Sequence, residues 1–243
     1  MRERGSFGNH GAARRRRRAV ELSAARISPQ RIYELLSTRF DDGNWWHASS
    51  RFEVVVGALL TQHTSWKNVE VAILGLKREG LMRSSAMSAA PLSTLYRLIR
   101  GTGFYRQKAS RLKRICERIC AEYGTLDRLF ALNTRALRKA LLSFEGIGNE
   151  TADSIMLYAA NRPVFVIDAY TRRMLGRLNG TQLQHADYDA LRGYFESGMR
   201  RSAELYRNCH AKIVELGKSN CKAKPVCVGC PLNGICAYAH SHG

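Results

Sequence analysis

The chain has 243 residues, enough to bury a real core in one large domain or two small lobes. Apolar residues at 45% are ordinary for a globular protein, but 39 Lys and Arg against 20 Asp and Glu leave a net charge of +19, which points to a polyanionic partner, above all nucleic acid. No apolar run approaches the ~20 residues that span a bilayer, and no apolar segment follows the N-terminal basic residues as in a secretory signal. The expectation is a monomeric cytoplasmic protein of bacterial type, working on the nucleoid and without a membrane partner. In such a compartment seven cysteines read as metal or cluster ligands before disulfides, and four of them fall in the last 23 residues.

Residues 1–25 hold three glycines and the run Arg14–Arg18 with no apolar face, and read as a disordered basic arm. Ser28-Pro29 is a helix start, with Ile32, Leu35, Leu36 and Phe40 following on one face. Asp41-Asp42-Gly43-Asn44 ends that helix. Phe52 to Leu60 is a nearly continuous apolar run, long enough for a buried helix, and Lys67 to Lys77 resumes as another. Further helical stretches run over 93–99, from Phe104 through Leu112, Ile115, Ile119 and Tyr123, over 126–132, 134–142, 151–160, 169–178, 188–198 and 203–217. No segment alternates with period two, so the fold class is all-α. The chain divides into the arm (1–25), a helical body (26–218, with a hairpin at 141–160) and a four-cysteine loop and tail (219–243).

The chemistry gathers between Leu141 and Arg173. Gly146-Ile147-Gly148 is a glycine-flanked turn at a helix start, and Thr151 follows it. Glycines admit positive φ and close approach, and free N–H groups at a helix start bind anions, so Gly146, Ile147, Gly148 and Thr151 are candidates to grip DNA phosphate without reading sequence. A plain helix-turn-helix connector is the other reading. Val164 to Ile167 then delivers Asp168 to the start of a helix. Asp is a preferred N-cap, and a helix N-terminus keeps a carboxylate ionised. An ionised, partly desolvated carboxylate suits cleavage of an N-glycosidic bond, because it stabilises the cationic sugar and can orient or deprotonate water.

G-I-G-x-E-T-A followed by V-I-D at this distance resembles the helix-hairpin-helix DNA glycosylase superfamily of the endonuclease III type, over roughly Ile32 to Tyr238. The resemblance implies two α-helical lobes with a DNA-binding cleft between them, flipping of a damaged base out of double-stranded DNA, and Asp168 as the catalytic carboxylate. In the endonuclease III pattern the residue before T-A is a lysine that attacks the sugar and supports strand cleavage through a Schiff base. This chain has Glu150 there, and a carboxylate cannot form a Schiff base. A monofunctional glycosylase using water follows. The superfamily also implies that Gln62, in the loop after the buried helix, fills the gap left by the flipped base; a helix-terminating glutamine is the other reading.

Cys221, Cys227, Cys230 and Cys236 supply four thiolates within 16 residues. Four soft ligands suit tetrahedral zinc or an iron–sulfur cluster, and spacing alone leaves both open. The resemblance implies a 4Fe–4S cluster, since endonuclease III and adenine glycosylases end in a similar segment. Cys116, Cys120 and Cys209 read as core residues.

Trp45, Trp46 and Trp66 flank the buried helix. Flipped bases stack on aromatics, and indole faces favour cationic rings such as that of 3-methyladenine; core packing is the plainer reading. The blocks Trp45 to Thr64, Gly103 to Leu112 and His210 to Glu215 resemble the 3-methyladenine DNA glycosylase III branch. That branch implies an aromatic base pocket at Trp45, Trp46 and Trp66, with Lys212 beside it. His47 stands where the branch has proline. The leading expectation is a base-excision repair glycosylase acting on alkylated purines. The alternatives are an endonuclease III-like enzyme for oxidised pyrimidines or mismatched thymine and uracil, and a non-catalytic DNA-binding protein that uses the hairpin for grip alone.

Overall fold

The computed structural model describes residues 27–42, 46–179 and 181–242; the basic arm and Trp45 lie outside them. Among the described residues every regular element is helical, as the apolar spacing predicts. The chain forms two compact units, one from Met1–Asn44 with Phe165–Gly243, the other the continuous stretch Trp45–Val164.

Helix α1 (Pro29–Ser37) begins where Ser28-Pro29 predicts. The Ser28 hydroxyl accepts the Arg31 N–H at 3.2 Å, and Pro29, Ile32 and Leu36 are buried. The continuous unit is built on α2 (Arg51–Leu60), in which every residue from Phe52 to Leu60 is buried. An all-round apolar helix of this kind belongs in the middle of a core. Its one charged buried residue, Glu53, accepts from the Ser49 N–H (2.9 Å) and hydroxyl (2.5 Å) and pairs with Lys77 (2.8 Å) of α3 (Trp66–Arg78). Burial pushes the Glu53 carboxyl up, but Lys77 and Ser49 outweigh it and hold it below its ordinary value.

Then come α4 (Ser84–Ala89), α5 (Leu92–Leu98), a short 3₁₀ turn at Arg100–Thr102 and α6 (Tyr105–Arg118), which runs on as a wider π turn over Ile119–Tyr123. α4 has a single fully buried anchor, Met87, and so carries no apolar period that the sequence could announce. The buried Lys108 of α6 donates to the carbonyls of Leu60 (2.8 Å) and Thr102 (2.6 Å), tying the end of α2 to the 3₁₀ turn. α7 (Leu126–Phe130), α8 (Thr134–Leu142) and α9 (Asn149–Ser154) complete this unit, and α9 continues as a π turn over Ile155–Ala159. Cys116 is fully buried and Cys120 half-buried.

In the other unit α10 (Ala169–Asn179), α11 (Tyr188–Gly198) and α12 (Ala203–Ser219) pack with α1. Phe165 stacks on Phe195 at 4.0 Å with Tyr206 edge-on at 5.6 Å, and Cys209 is fully buried. α12 lies so close to α10 that a Cβ at Gly217 would stand 2.2 Å from the Tyr170 ring. The cysteine segment and α13 (Ala237–His242) close the chain. Among the described residues no helix is long and apolar enough to cross a membrane.

Candidate active site

Asp168 stands immediately before α10, and its side chain is 13% exposed. Oδ1 accepts from the Thr171 N–H (2.7 Å) and the Thr171 hydroxyl (2.8 Å), which is N-cap geometry. Oδ2 faces Nε2 of His210 on α12 at 3.4 Å, and the His210 side chain is 4% exposed. Burial alone would push this carboxyl up; the His210 ring and the two Thr171 donations outweigh burial and hold it below its ordinary value. The local sequence explains the placement. Val164 to Ile167 are all buried, so the chain arrives from the core and turns into α10 with the acid at the surface of its first turn. His210 is the participant that sequence reasoning did not single out as a site residue. It lies 42 positions from Asp168, and its only signal was its place in the His-x-Lys block.

Two residues on, Lys212 is 2% exposed and fully engaged. It pairs with Asp42 at 2.9 Å, donates to the Phe40 carbonyl and sits 5.7 Å from the Tyr33 ring. This lysine holds the segment after α1 to α12 within its own unit.

In the continuous unit the hairpin between α8 and α9 divides its labour between two glycines. Gly146 has φ +85°, so glycine is required for the conformation, and a Cβ there would have to displace the far end of the Arg111 side chain, 2.6 Å away. Gly148 is extended (φ −91°, ψ −177°) and exposed, and a Cβ there would meet nothing within 4 Å. Ile147 is buried and roots the turn. The N-cap of α9 is Gly148, which brings no side chain of its own to the first-turn N–H groups. Glu150 is exposed on the first turn of α9. Thr151 is buried, and its hydroxyl accepts from Gln62 Nε2 at 3.1 Å. Gln62 also donates to the Gly146 carbonyl at 3.0 Å, so the loop after α2 is pinned to the hairpin. The buried pair of Arg138 on α8 with Asp153 on α9 (2.7 and 3.1 Å) fixes the two arms of the hairpin.

The described tryptophans form an aromatic group in the same unit. Trp46 meets Tyr158 at 5.2 Å and Trp66 edge-on at 5.5 Å, the two indoles lying over Gly57 of α2, where a Cβ would stand 3.0 Å from the Trp46 ring. Trp66 is 36% exposed and its indole N–H donates to Glu70 at 2.7 Å. Tyr158 was not anticipated, because it sits on a π turn that shifts the face expected from regular helical spacing. Phe104, also unanticipated, is 70% exposed in a left-handed conformation (φ +45°) at the start of α6.

The four cysteines of the C-terminal segment are half-buried. Among the described residues no three His, Cys, Asp or Glu side chains converge closely enough to hold a metal ion. The donor set nevertheless fits a soft cation. Burial pushes the Cys230 thiol up most, a backbone N–H partly offsets this, and the thiols of Cys221, Cys236 and Cys227 push it up further, a mutual repulsion that a bound cation relieves. α10 holds the segment. Arg173 donates to the carbonyls of Cys221 (2.7 Å) and Gly217 (3.1 Å), and Arg177 donates to Cys221 Sγ at 3.3 Å and to the carbonyls of Lys222 and Ala223.

Comparison with known proteins agrees with this architecture. Residues 56–198 match the family described as "HhH-GPD superfamily base excision DNA repair protein". The chain is 45% identical over 208 residues to a protein of Methanocaldococcus jannaschii named as a DNA repair glycosylase, covering 85% of this chain and 94% of that one. It is 29% identical over 189 residues to endonuclease III of Sulfolobus acidocaldarius, covering 77% and 82%. The crystal structure of H. pylori 3-methyladenine DNA glycosylase bound to 1,N6-ethenoadenine matches with a TM-score of 0.69 at 28% identity, covering 79% of this chain and 98% of that one. A trapped endonuclease III–DNA covalent intermediate matches with a TM-score of 0.74 at 21% identity, covering 88% and 98%, a likeness of fold. The chain belongs to the HhH-GPD superfamily of base excision DNA repair proteins. Within that superfamily it is a DNA glycosylase.

Proposed function

We propose that this glycosylase is monofunctional and hydrolyses the N-glycosidic bond of alkylated purines, 3-methyladenine among them, in double-stranded DNA. The observation that carries the reading is Asp168, ionised below the ordinary carboxylate range and held by Thr171 and His210. As the C1′–N bond breaks, its electron pair leaves with the base and positive charge builds on the sugar, which the carboxylate stabilises. Water bonds to C1′, and its proton passes to Asp168. Glu150 at the lysine position supplies no amine for a covalent intermediate. A cationic purine leaves as a neutral base, and Trp46, Trp66 and Tyr158 offer the electron-rich faces that such a ring favours, with Trp45 assigned to the same pocket.

Gly146, Ile147, Gly148 and Thr151 form the backbone-gripping hairpin of this reading, with Gln62 and the exposed Phe104 as the side chains that fill the emptied stack. Lys212, held by Asp42 and the Phe40 carbonyl, is assigned to the same base pocket. Cys221, Cys227, Cys230 and Cys236 would hold a 4Fe–4S cluster, which when bound supplies a rigid cross-link for the C-terminal segment; zinc is the alternative occupant. Visible absorbance of the purified protein separates the coloured cluster from colourless zinc.

A second reading, an endonuclease III-like enzyme for oxidised pyrimidines or for mismatched thymine or uracil, is favoured by the Sulfolobus relative and by a 27% identical thymine/uracil-DNA glycosylase of Pyrobaculum aerophilum. Base release from duplexes carrying methylated, oxidised and mismatched bases decides between them. Release of alkylated purines, with no adduct trapped by borohydride, is the expected result. Release confined to oxidised or mismatched pyrimidines, or a trapped adduct, overturns the proposal. Asp168→Asn is expected to slow release at least about 100-fold with duplex binding retained.

A further inference from the structure

We propose that His210 is a positioning residue for Asp168, holding Oδ2 of the carboxylate as Thr171 holds Oδ1. The proposal rests on the reading of Asp168 as the catalytic acid.

An isolated N-cap aspartate engages its helix through one oxygen and leaves the other to solvent. Asp168 differs. Both donations from Thr171 converge on Oδ1, and Oδ2 is turned toward Nε2 of a histidine whose side chain is 4% exposed. The two residues come from different helices. α12 reaches α10 closely because Gly217 lies against the Tyr170 ring, two residues after the acid. The histidine is fixed in turn: the Phe165 ring lies edge-on to it at 6.4 Å, within the Phe165, Phe195 and Tyr206 group. A ring so confined, with its Nε2 standing 3.4 Å from one oxygen, restricts the remaining rotation of the carboxylate. Its place beside Oδ2 also favours the ionised form of the acid.

Such preorganisation matters most when charge develops in the transition state, and least for binding undamaged DNA. His210 touches neither water nor sugar in this proposal; it acts through Asp168. The carboxylate keeps its further lone pairs for water and for the sugar cation. The other buried groups near this end of α12 have their own partners: Lys212 is taken by Asp42 and the Phe40 carbonyl, and the Tyr206 hydroxyl donates to the Glu196 carbonyl at 3.3 Å.

The test uses the full chain and four proteins: wild type, Asp168→Asn, His210→Gln and His210→Asn. Gln carries an N–H donor about as far from the backbone as imidazole Nε2, whereas Asn is polar but too short. Two readouts are taken. One is single-turnover release from the duplex that wild type cleaves fastest. The other is the ratio of affinities for a duplex with a cationic pyrrolidine in place of one sugar and for one with neutral tetrahydrofuran there, which reads the carboxylate whatever the preferred base. His210→Asn is expected to slow release about 10- to 100-fold and to shrink the preference for the pyrrolidine duplex, with tetrahydrofuran binding unchanged. His210→Gln is expected to keep most of both. Equal rates and equal preference in the Gln and Asn variants overturn the role of His210, whether both resemble wild type or both fall. Full activity and preference in Asp168→Asn overturn the underlying assignment of Asp168 instead, so the two failures are distinct.

Discussion

Asp168 meets two demands that usually conflict: it is nearly buried and it is ionised. The donors on its two oxygens resolve the conflict, and the consequence is a stated acid limb. Because its folded-state pKa is depressed, base release is expected to persist at mildly acidic pH and to fall only below the ordinary carboxylate range, checked by a single-turnover pH profile. The linkage has the same sign. A carboxyl depressed on folding contributes stability that is fully present above the unfolded value of about 3.9 and is lost as pH falls through the folded value. Melts over that interval are therefore expected to show wild type losing more stability than Asp168→Asn. The N-cap place of Asp168 was legible, because an Asp between a buried apolar run and a helical period reads as a cap. His210 was not, because a contact between residues 42 positions apart leaves no local pattern. Gln62 was legible as a loop residue, but its two bonds to the hairpin depend on where α8 and α9 fold back against the end of α2.

At the scale of elements, the hairpin's glycines make opposite predictions. Gly146→Ala is expected to destabilise the protein by about 1–2 kcal/mol from the left-handed backbone, as read by thermal melts. Gly148→Ala is expected to leave stability within about 0.5 kcal/mol and yet to weaken duplex binding, because its Cβ enters the space a phosphate would take. The Arg138–Asp153 pair sets a third expectation. Asp153 is fully buried, so Arg138→Met removes the ion pair of a buried carboxylate and is expected to cost up to about 3–5 kcal/mol in chemical denaturation. The helices announced by the sequence were those with a continuous apolar run, as in α2, or a strong apolar face, as in α1, α6 and α8. α4 escaped because Ser84 to Ala89 has a single fully buried anchor, and the π turns after α6 and α9 escaped because one extra residue per turn leaves the apolar composition unchanged while rotating the face that Tyr158 presents.

For the whole molecule the surplus of 19 positive charges implies binding by release of counterions. Replacing Arg14–Arg18 with glutamine is expected to flatten the dependence of duplex affinity on salt by no more than about 4.5 in logarithmic slope, with base release at low salt preserved; salt titrations of both proteins check it. The all-α class and the superfamily were readable from the sequence, since several blocks agree in order and each has its own physical reason. The resemblance implied two lobes, but the points at which the chain divides were not readable. The division interrupts one unit at Asn44 and resumes it at Phe165, and no composition shift marks either point.

That interruption bears on how the molecule is made. The stretch Trp45–Val164 carries its own core and can fold while the ribosome is still at work on the remainder. The other unit cannot, because α1 waits on the surface of the nascent chain for partners that lie more than a hundred residues downstream. Asp168 gains its ordered surroundings last, when α12 and the arginine-held cysteine segment have emerged. A chain that ended before α12 would therefore carry the hairpin of Gly146 and Gly148 and lack the His210 neighbour of Asp168.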